Sequence, residues 1–128
     1  MSPTIFLFGE AERGEFCIPL FCHTLPQLAQ TLGNPPNQSQ GIVYAVQALL
    51  YKRMLIYFRV KEEGFSVEDY QKGLDFLKNR EKIPRLDAIC MPGVGDGNII
   101  EATSDICALH NSFLIIDEKD LYDYLTGK

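Results

Sequence analysis

The segment from residue 85 to residue 118 constrains the fold of this chain more than any other part of its sequence. The apolar run Leu86–Met91 predicts a strand, and the glycine-rich turn Pro92–Gly97 leads from it into an amphipathic helix that ends near His110. Phe113–Ile116 is a second short apolar run, typical of another strand. A strand-turn-helix-strand unit of this kind is the building block of parallel α/β sheets.

The rest of the chain also divides into strands and helices. Ile5–Phe8 and Met54–Val60 predict buried strands. Phe16–Cys22 could form a hairpin partner or an edge strand, and Pro19, which has no N–H for a central ladder, leaves an edge strand or irregular structure. The predicted helices run from a capping box at Thr24 to Leu32, from Gly41 to the basic pair Lys52-Arg53, from Ser66 to about Lys82 with a break at Pro84, and from Leu121 to Leu125.

Three successive strand-helix units occupy Met54 to Lys128, and right-handed crossovers make their strands parallel. A chain of 128 residues is the size of one domain. We therefore expect a single α/β domain over residues 1–128. Its architecture should be a three-layer sandwich with a mostly parallel, flavodoxin-like or Rossmann-like sheet of four or five strands.

The amino-acid composition limits the kinds of partner that the chain can bind and indicates its cellular compartment. The net charge of −5 and the pI near 4.9 argue against nucleic-acid binding and against binding to anionic membranes. The sequence contains no apolar run of about 18 residues, as a membrane-spanning helix requires. The short apolar core before Gly9 lacks a preceding basic region, which favours a strand over a signal peptide. Four irregularly spaced cysteines then predict reduced thiols in the cytoplasm.

The glycine-rich turn is the strongest candidate for a functional site. Ligands of open parallel sheets bind beyond the carboxyl ends of the strands, and the first N–H groups of a helix attract anions. Asn98 and Glu101 have the spacing of a capping pair at the start of this helix. We expect an anionic small molecule, a nucleotide or phosphorylated metabolite, to bind here in a regulatory or binding role. The candidate ligand-binding residues are Gly93, Val94, Gly95, Asp96, Gly97, Asn98, Glu10 and Asp117.

An alternative is that these glycines serve only a tight strand-to-helix turn. The dinucleotide fingerprint GxGxxG is not met, because the third glycine comes one residue early. No lysine followed by serine or threonine closes the turn, as it does in nucleoside triphosphatases. The sequence therefore assigns no catalytic residue and no cofactor, and it leaves open whether the chain is an enzyme.

The run from Cys90 to Gly97 resembles the turn after the phosphoaccepting strand of response-regulator receiver domains, where Met-Pro-Gly and Asp-Gly recur. The position of the phosphoaccepting aspartate is Ala88 in this chain, and Asp87 lies one residue away, on the opposite face of a strand. Gly9-Glu10 replaces the acidic pair expected after the first strand. The resemblance implies a similar turn and carries no phosphotransfer activity to this chain.

Two other functional classes are open. One is a protein-interaction or scaffold module without a small-molecule site, forming a homodimer through exposed aromatics such as Tyr122 and Tyr124 or through an edge strand. The other is a Mg²⁺-dependent phosphotransferase or hydrolase, although a solvated acidic rim is the simpler interpretation of its carboxylates. Those carboxylates belong to Glu10, Glu12, Glu62, Glu63, Asp96, Asp117 and Glu118.

Two interpretations involve cysteine. Zinc could be bound by thiols and imidazoles, and Cys22 could act as a nucleophile near a helix start. Neither spacing favours a site, because Cys17 and Cys22 face opposite sides of a regular strand and no histidine is placed as a base. We assign no metal site and interpret the four cysteines as buried or half-buried thiols. The residues considered for zinc are Cys17, Cys22, His23, Cys107 and His110.

Overall fold

The computed structural model describes residues 3–79, 81–83 and 85–127, so the predicted break at Pro84 lies outside the described residues. From Met54 onward strands and helices alternate as the sequence predicts, and some elements are shorter than expected. In chain order they are β1 (Thr4–Gly9), β2 (Pro19–Cys22), α1 (Leu25–Leu32), α2 (Gly41–Leu50), β3 (Met54–Arg59), α3 (Val67–Leu77), β4 (Ala88–Cys90), α4 (Gly97–His110), β5 (Phe113–Ile115) and α5 (Glu118–Thr126).

The five strands form one sheet in the order β2-β3-β1-β4-β5. β1 lies at the centre and pairs in parallel with β3 and β4, and β5 pairs in parallel with β4. β2 pairs antiparallel with β3 and forms one edge, where Pro19 needs no ladder N–H. The expectation of a mostly parallel sheet is confirmed, and β2 gives the sheet its mixed orientation.

Alternating side chains of the strands build a core on each side of the sheet. Phe6 and Phe8 of β1 face the side covered by α3 and α4, whereas Ile5 and Leu7 face the side covered by α1, α2 and α5. Both cores contain fully buried residues from β1, β3 and β4. The chain is therefore an α/β fold with helices on both sides of the sheet.

Helix ends follow the sequence at some places and depart from it at others. The Thr24 hydroxyl accepts a hydrogen bond from Gln27 N at 3.2 Å, which confirms the predicted cap of α1. α3 ends at Leu77, earlier than predicted, and the Leu77 carbonyl oxygen accepts from His110 Nε2 at 2.6 Å. None of the helices in the described part of the chain is long and apolar enough to cross a membrane.

Candidate functional site

The carboxyl ends of the four parallel strands lie at one edge of the sheet, where the sequence predicts a ligand site. The loops that follow β3 and β4 pack tightly against each other there. A Cβ added to Gly64 would lie 2.6 Å from the Gly93 carbonyl oxygen, and both glycines have positive φ. Gly64 N also donates to the Tyr70 hydroxyl at 2.6 Å. The glycine turn is thus anchored to the loop after β3.

Glu10, a predicted ligand-binding residue, forms hydrogen bonds with another part of the chain. Its Oε2 accepts from Glu63 N at 2.8 Å, and Glu10 N donates to Glu63 Oε1 at 3.0 Å. These reciprocal hydrogen bonds join the loop after β1 to the loop after β3. The Glu10 carboxylate therefore has a structural partner at the position where the sequence predicts a ligand contact.

The carboxylate of Glu63 binds the amino end of α2. It accepts from Gln40 N at 2.7 Å, Gly41 N at 3.0 Å and the Ser39 hydroxyl at 3.1 Å. A helix amino end attracts anions because its first N–H groups lack partners within the helix. Glu63 supplies that anion from within the chain and already binds the N–H group of Gly41, the first residue of α2, and that of Gln40 before it.

Tyr57 closes the space between the end of β1 and the start of α2. Its hydroxyl donates to the Glu10 carbonyl oxygen at 2.6 Å, and its side chain is fully buried. A Cβ added to Gly9 would collide with the Tyr57 hydroxyl and lie 2.7 Å from Gly41 Cα. Burial raises the pKa of Tyr57 well above its ordinary value, and the negative charge of Glu63 raises it further. The contact between the end of β1 and the start of α2 is therefore closely packed around the Tyr57 hydroxyl.

The predicted Asn98–Glu101 capping pair is wrong, because Asp96 caps α4. Asp96 Oδ1 accepts from Asn98 N at 2.9 Å and from Ile99 N at 3.0 Å. An Asp side chain is as good an N-cap as Asn and here lies one residue before the first helical position. An external anion at this turn would compete with the Asp96 carboxylate for the same N–H groups.

In the predicted turn site, the fold requires Gly93 and Val94 but does not require glycine at positions 95 and 97. Val94 is buried in the core beneath α3 and α4, and Gly93 needs its positive φ. Gly95 and Gly97 have no positive φ, and a Cβ added to either would meet nothing within 4 Å. Packing and backbone conformation therefore do not require glycine at those two positions.

Asp117 lies at the carboxyl end of β5 and caps α5. Its Oδ1 accepts from Asp120 N at 2.8 Å. Three acidic side chains at this edge, Asp96, Glu63 and Asp117, thus each bind backbone N–H groups at the start of a helix. Among the described residues, no group of three or more His, Cys, Asp or Glu side chains is arranged to hold a metal ion.

The structure also argues against the zinc site and the nucleophilic cysteine that were considered from the sequence. Burial raises the pKa of the Cys22 thiol to about 11, so almost no thiolate forms at neutral pH. Cys17 Sγ donates to Asp69 Oδ1 at 3.2 Å, and His110 bonds to the end of α3. All four cysteines are free thiols.

A second surface, which the sequence analysis did not identify, lies over α1 and α2. No Asp, Glu, Lys, Arg or His occurs from Thr24 to Tyr51, so the 12 basic and 17 acidic residues all lie elsewhere in the chain. We call the exposed side of this segment the uncharged face. The long run without charge was visible in the sequence, and it is the signal that could have revealed this surface.

The uncharged face is apolar as well as uncharged. Val43, Val46, Gln47 and Leu50 are spaced so that they share one side of α2, and Val43 and Leu50 are 42% and 56% exposed. An outward helix side normally carries charged or polar residues. α2 instead presents a ridge of mainly aliphatic side chains to its surroundings.

A groove lies on each side of this ridge. The groove between α1 and α2 has a volume of about 480 Å³, and all of its lining residues are uncharged, including Leu25, Leu28 and Ile42. The groove between α2 and α5 has a volume of about 240 Å³ and includes Glu118 and Tyr122 in its lining. Val43 and Gln47 line both grooves, so the ridge and its grooves form one continuous surface.

Comparison of the chain with known protein families, with curated proteins and with solved structures finds no match.

Proposed function

We propose that this chain is a protein-interaction domain that binds its partner through the uncharged face of α1 and α2. The observation that carries the proposal is the absence of charged residues from Thr24 to Tyr51 in a segment that forms two surface helices. Depletion of charged residues distinguishes the centre of a protein interface from ordinary surface. Exposed apolar surface that is continuous over several residues marks such interfaces too.

The energetics of the face favour burial against another protein. Full burial of an aliphatic side chain contributes about 1.5–3 kcal/mol, so half-exposed Val43 and Leu50 can each contribute about 1 kcal/mol on binding. Because residues Thr24–Tyr51 carry no charge, burial of their side chains involves no desolvation of an ionised group. The carboxyl edge differs, since its carboxylates already bind the protein's own N–H groups.

Site-specific photocrosslinking in cells tests the proposal. A photoreactive residue would replace Gln47 on the uncharged face or, as the matched control, Gln71 on α3. Both glutamines are exposed in the interior of a helix, on opposite sides of the sheet. We expect discrete crosslinked species from position 47 and none from position 71. An absence of crosslinks from position 47, or equal crosslinking from both positions, would refute the proposal.

A second candidate function is binding of an anionic small molecule, a nucleotide or phosphorylated metabolite, at the Pro92–Gly97 turn. It is supported by Gly95 and Gly97, whose backbone is open although the fold does not require glycine there. Competition with Asp96 for the helix N–H groups argues against it. Thermal-shift measurements with nucleotides, phosphosugars and oxyanions test it. A ligand-dependent shift that Gly95→Val abolishes would support this function, and no shift with any compound would exclude it.

Two finer expectations from the sequence are part of the proposal. The sheet order around β1 and the helices on both sides support a three-layer, flavodoxin-like arrangement. A cytoplasmic location is supported by the four free thiols.

A further inference from the structure

We propose that the partner of the uncharged face is a second copy of this chain, bound about a twofold axis with the two α2 helices antiparallel. This inference rests on the proposed function, because it names the protein that the same face binds. It commits to a homodimer of one geometry, for which shape, charge and size each supply an argument.

Shape is the first argument. A twofold axis that crosses α2 at right angles leaves its sideways position unchanged, so the apolar ridges of the two copies lie along each other. In this antiparallel pair, half-exposed Val43 of one copy would lie beside Leu50 of the other, and the grooves beside the two ridges would face each other. Gln47 lies near the middle of α2 and hence near the axis, where it would face its own counterpart.

Charge is the second argument. Two copies with a net charge of −5 repel each other over most of their surfaces, and the uncharged face is where they can approach without opposing like charges. Because the face has no charge, complementary charges cannot select a different protein as its partner. Electrostatics therefore favours a second copy at this surface over a charged partner.

The ends of α2 fix the relative direction of the two helices. Lys52 lies two residues beyond Leu50, the last residue of α2, whereas Glu118 lines the groove beside Val43 and Tyr44 near the amino end. Both side chains are exposed, and neither forms an ion pair within the described part of its own chain. In an antiparallel pair, Lys52 of each copy approaches Glu118 of the other. A parallel pair would instead oppose like charges.

The small size of the face limits the strength of the dimer. A helix of ten residues is about 15 Å long and about 10 Å wide, so α1 and α2 together present a footprint of roughly 300 Å². Stable complexes bury about 800 Å² per partner. The dimer should therefore be weak and should form in a concentration-dependent manner, with a dissociation constant in roughly the micromolar range or above.

Sedimentation velocity of the full chain tests this assembly, from about 10 μM to about 1 mM. We expect the weight-average mass to rise from 14.5 kDa towards twice that value. Gln47→Glu places two like charges beside the axis and should weaken dimerisation at least about tenfold. Gln71→Glu on α3 makes the same chemical change away from the face and should leave dimerisation unchanged, with circular dichroism confirming that both variants fold.

Charge reversal distinguishes this geometry from any other dimer. Lys52→Glu and Glu118→Lys should each weaken dimerisation, and the double variant should restore it, because the two side chains meet across the interface. A mass of 14.5 kDa at every concentration, or a dimer insensitive to Gln47→Glu, would overturn the homodimer. Crosslinks from position 47 to a different protein in cells would then leave the proposed function intact, whereas their absence would end both.

Discussion

Replacing Glu63 with alanine should destabilise the domain strongly, because this one carboxylate holds three segments together. Its oxygens accept from Glu10 N, Ser39 Oγ, Gln40 N and Gly41 N at distances of 2.7–3.1 Å. Loss of a helix cap costs about 1 kcal/mol, and a hydrogen bond to a charged group contributes about 1.5–3 kcal/mol. Some of the freed donors can bind water, so we expect a loss of about 2–4 kcal/mol in the free energy of unfolding.

Urea denaturation followed by circular dichroism measures this loss. For a domain of 128 residues, about 2–4 kcal/mol corresponds to a fall in Tm of roughly 7–15 °C. Glu62→Ala is the matched control, since Glu62 is exposed and its side chain has no hydrogen bond or ion pair within the described residues. Glu63→Gln keeps an acceptor oxygen and should fall between the two. Equal stability of Glu63→Ala and Glu62→Ala would refute the role assigned to this carboxylate.

Two further variant pairs test the carboxyl edge and α3. Gly93→Ala should lower the free energy of unfolding by about 1–2 kcal/mol because Gly93 has a positive φ, whereas Gly95→Ala should change it by less than about 0.5 kcal/mol. Urea denaturation compares the two variants. Equal losses would contradict the conclusion that the fold requires glycine at position 93 and not at position 95. Burial opposes ionisation of Asp69, but the hydrogen bonds from Lys61 N and Cys17 Sγ outweigh the effect of burial and lower the pKa of Asp69. The ionised Asp69 therefore stabilises the fold above about pH 4, and this contribution is lost as the pH falls. Asp69→Asn should therefore reduce stability at pH 7 and flatten the fall in Tm between about pH 5 and pH 2. A Tm curve that keeps the wild-type slope would contradict this. Asp75→Asn, at an exposed aspartate, is the control.

Local sequence patterns were sufficient for the elements whose causes are local. The apolar runs predicted β1, β3, β4 and β5. Pro19 left an edge strand or irregular structure for Phe16–Cys22, and the structure has the edge strand β2 there. The Thr24 cap depends on a hydrogen bond between residues three apart, so it too was accessible from the sequence. The cap of α4 was misassigned because Asp96 and Asn98 are both good caps two residues apart, and only the backbone dihedral angles decide between them.

The candidate site was less accessible, because its contacts join distant residues. Glu63 caps α2 from 22 residues away and bonds to Glu10 across 53 residues, and no local pattern signals either contact. The sequence therefore suggested an acidic rim open to ligands, and the structure shows carboxylates that bind helix ends. The uncharged face was visible as a run without charge, but its exposure depends on α2 lying over the sheet with no further layer outside it.

Hydroxyl-radical footprinting in living cells, compared with the dilute purified protein, tests the central claim most directly. Leu50 on the uncharged face and Phe65 beside the carboxyl edge are 56% and 75% exposed, so both should oxidise readily in the dilute protein. If the uncharged face binds a protein partner, Leu50 and Val43 will be protected in cells and Phe65 will not. Protection of Phe65 with unchanged oxidation of Leu50 would contradict the account and place the functional surface at the carboxyl edge.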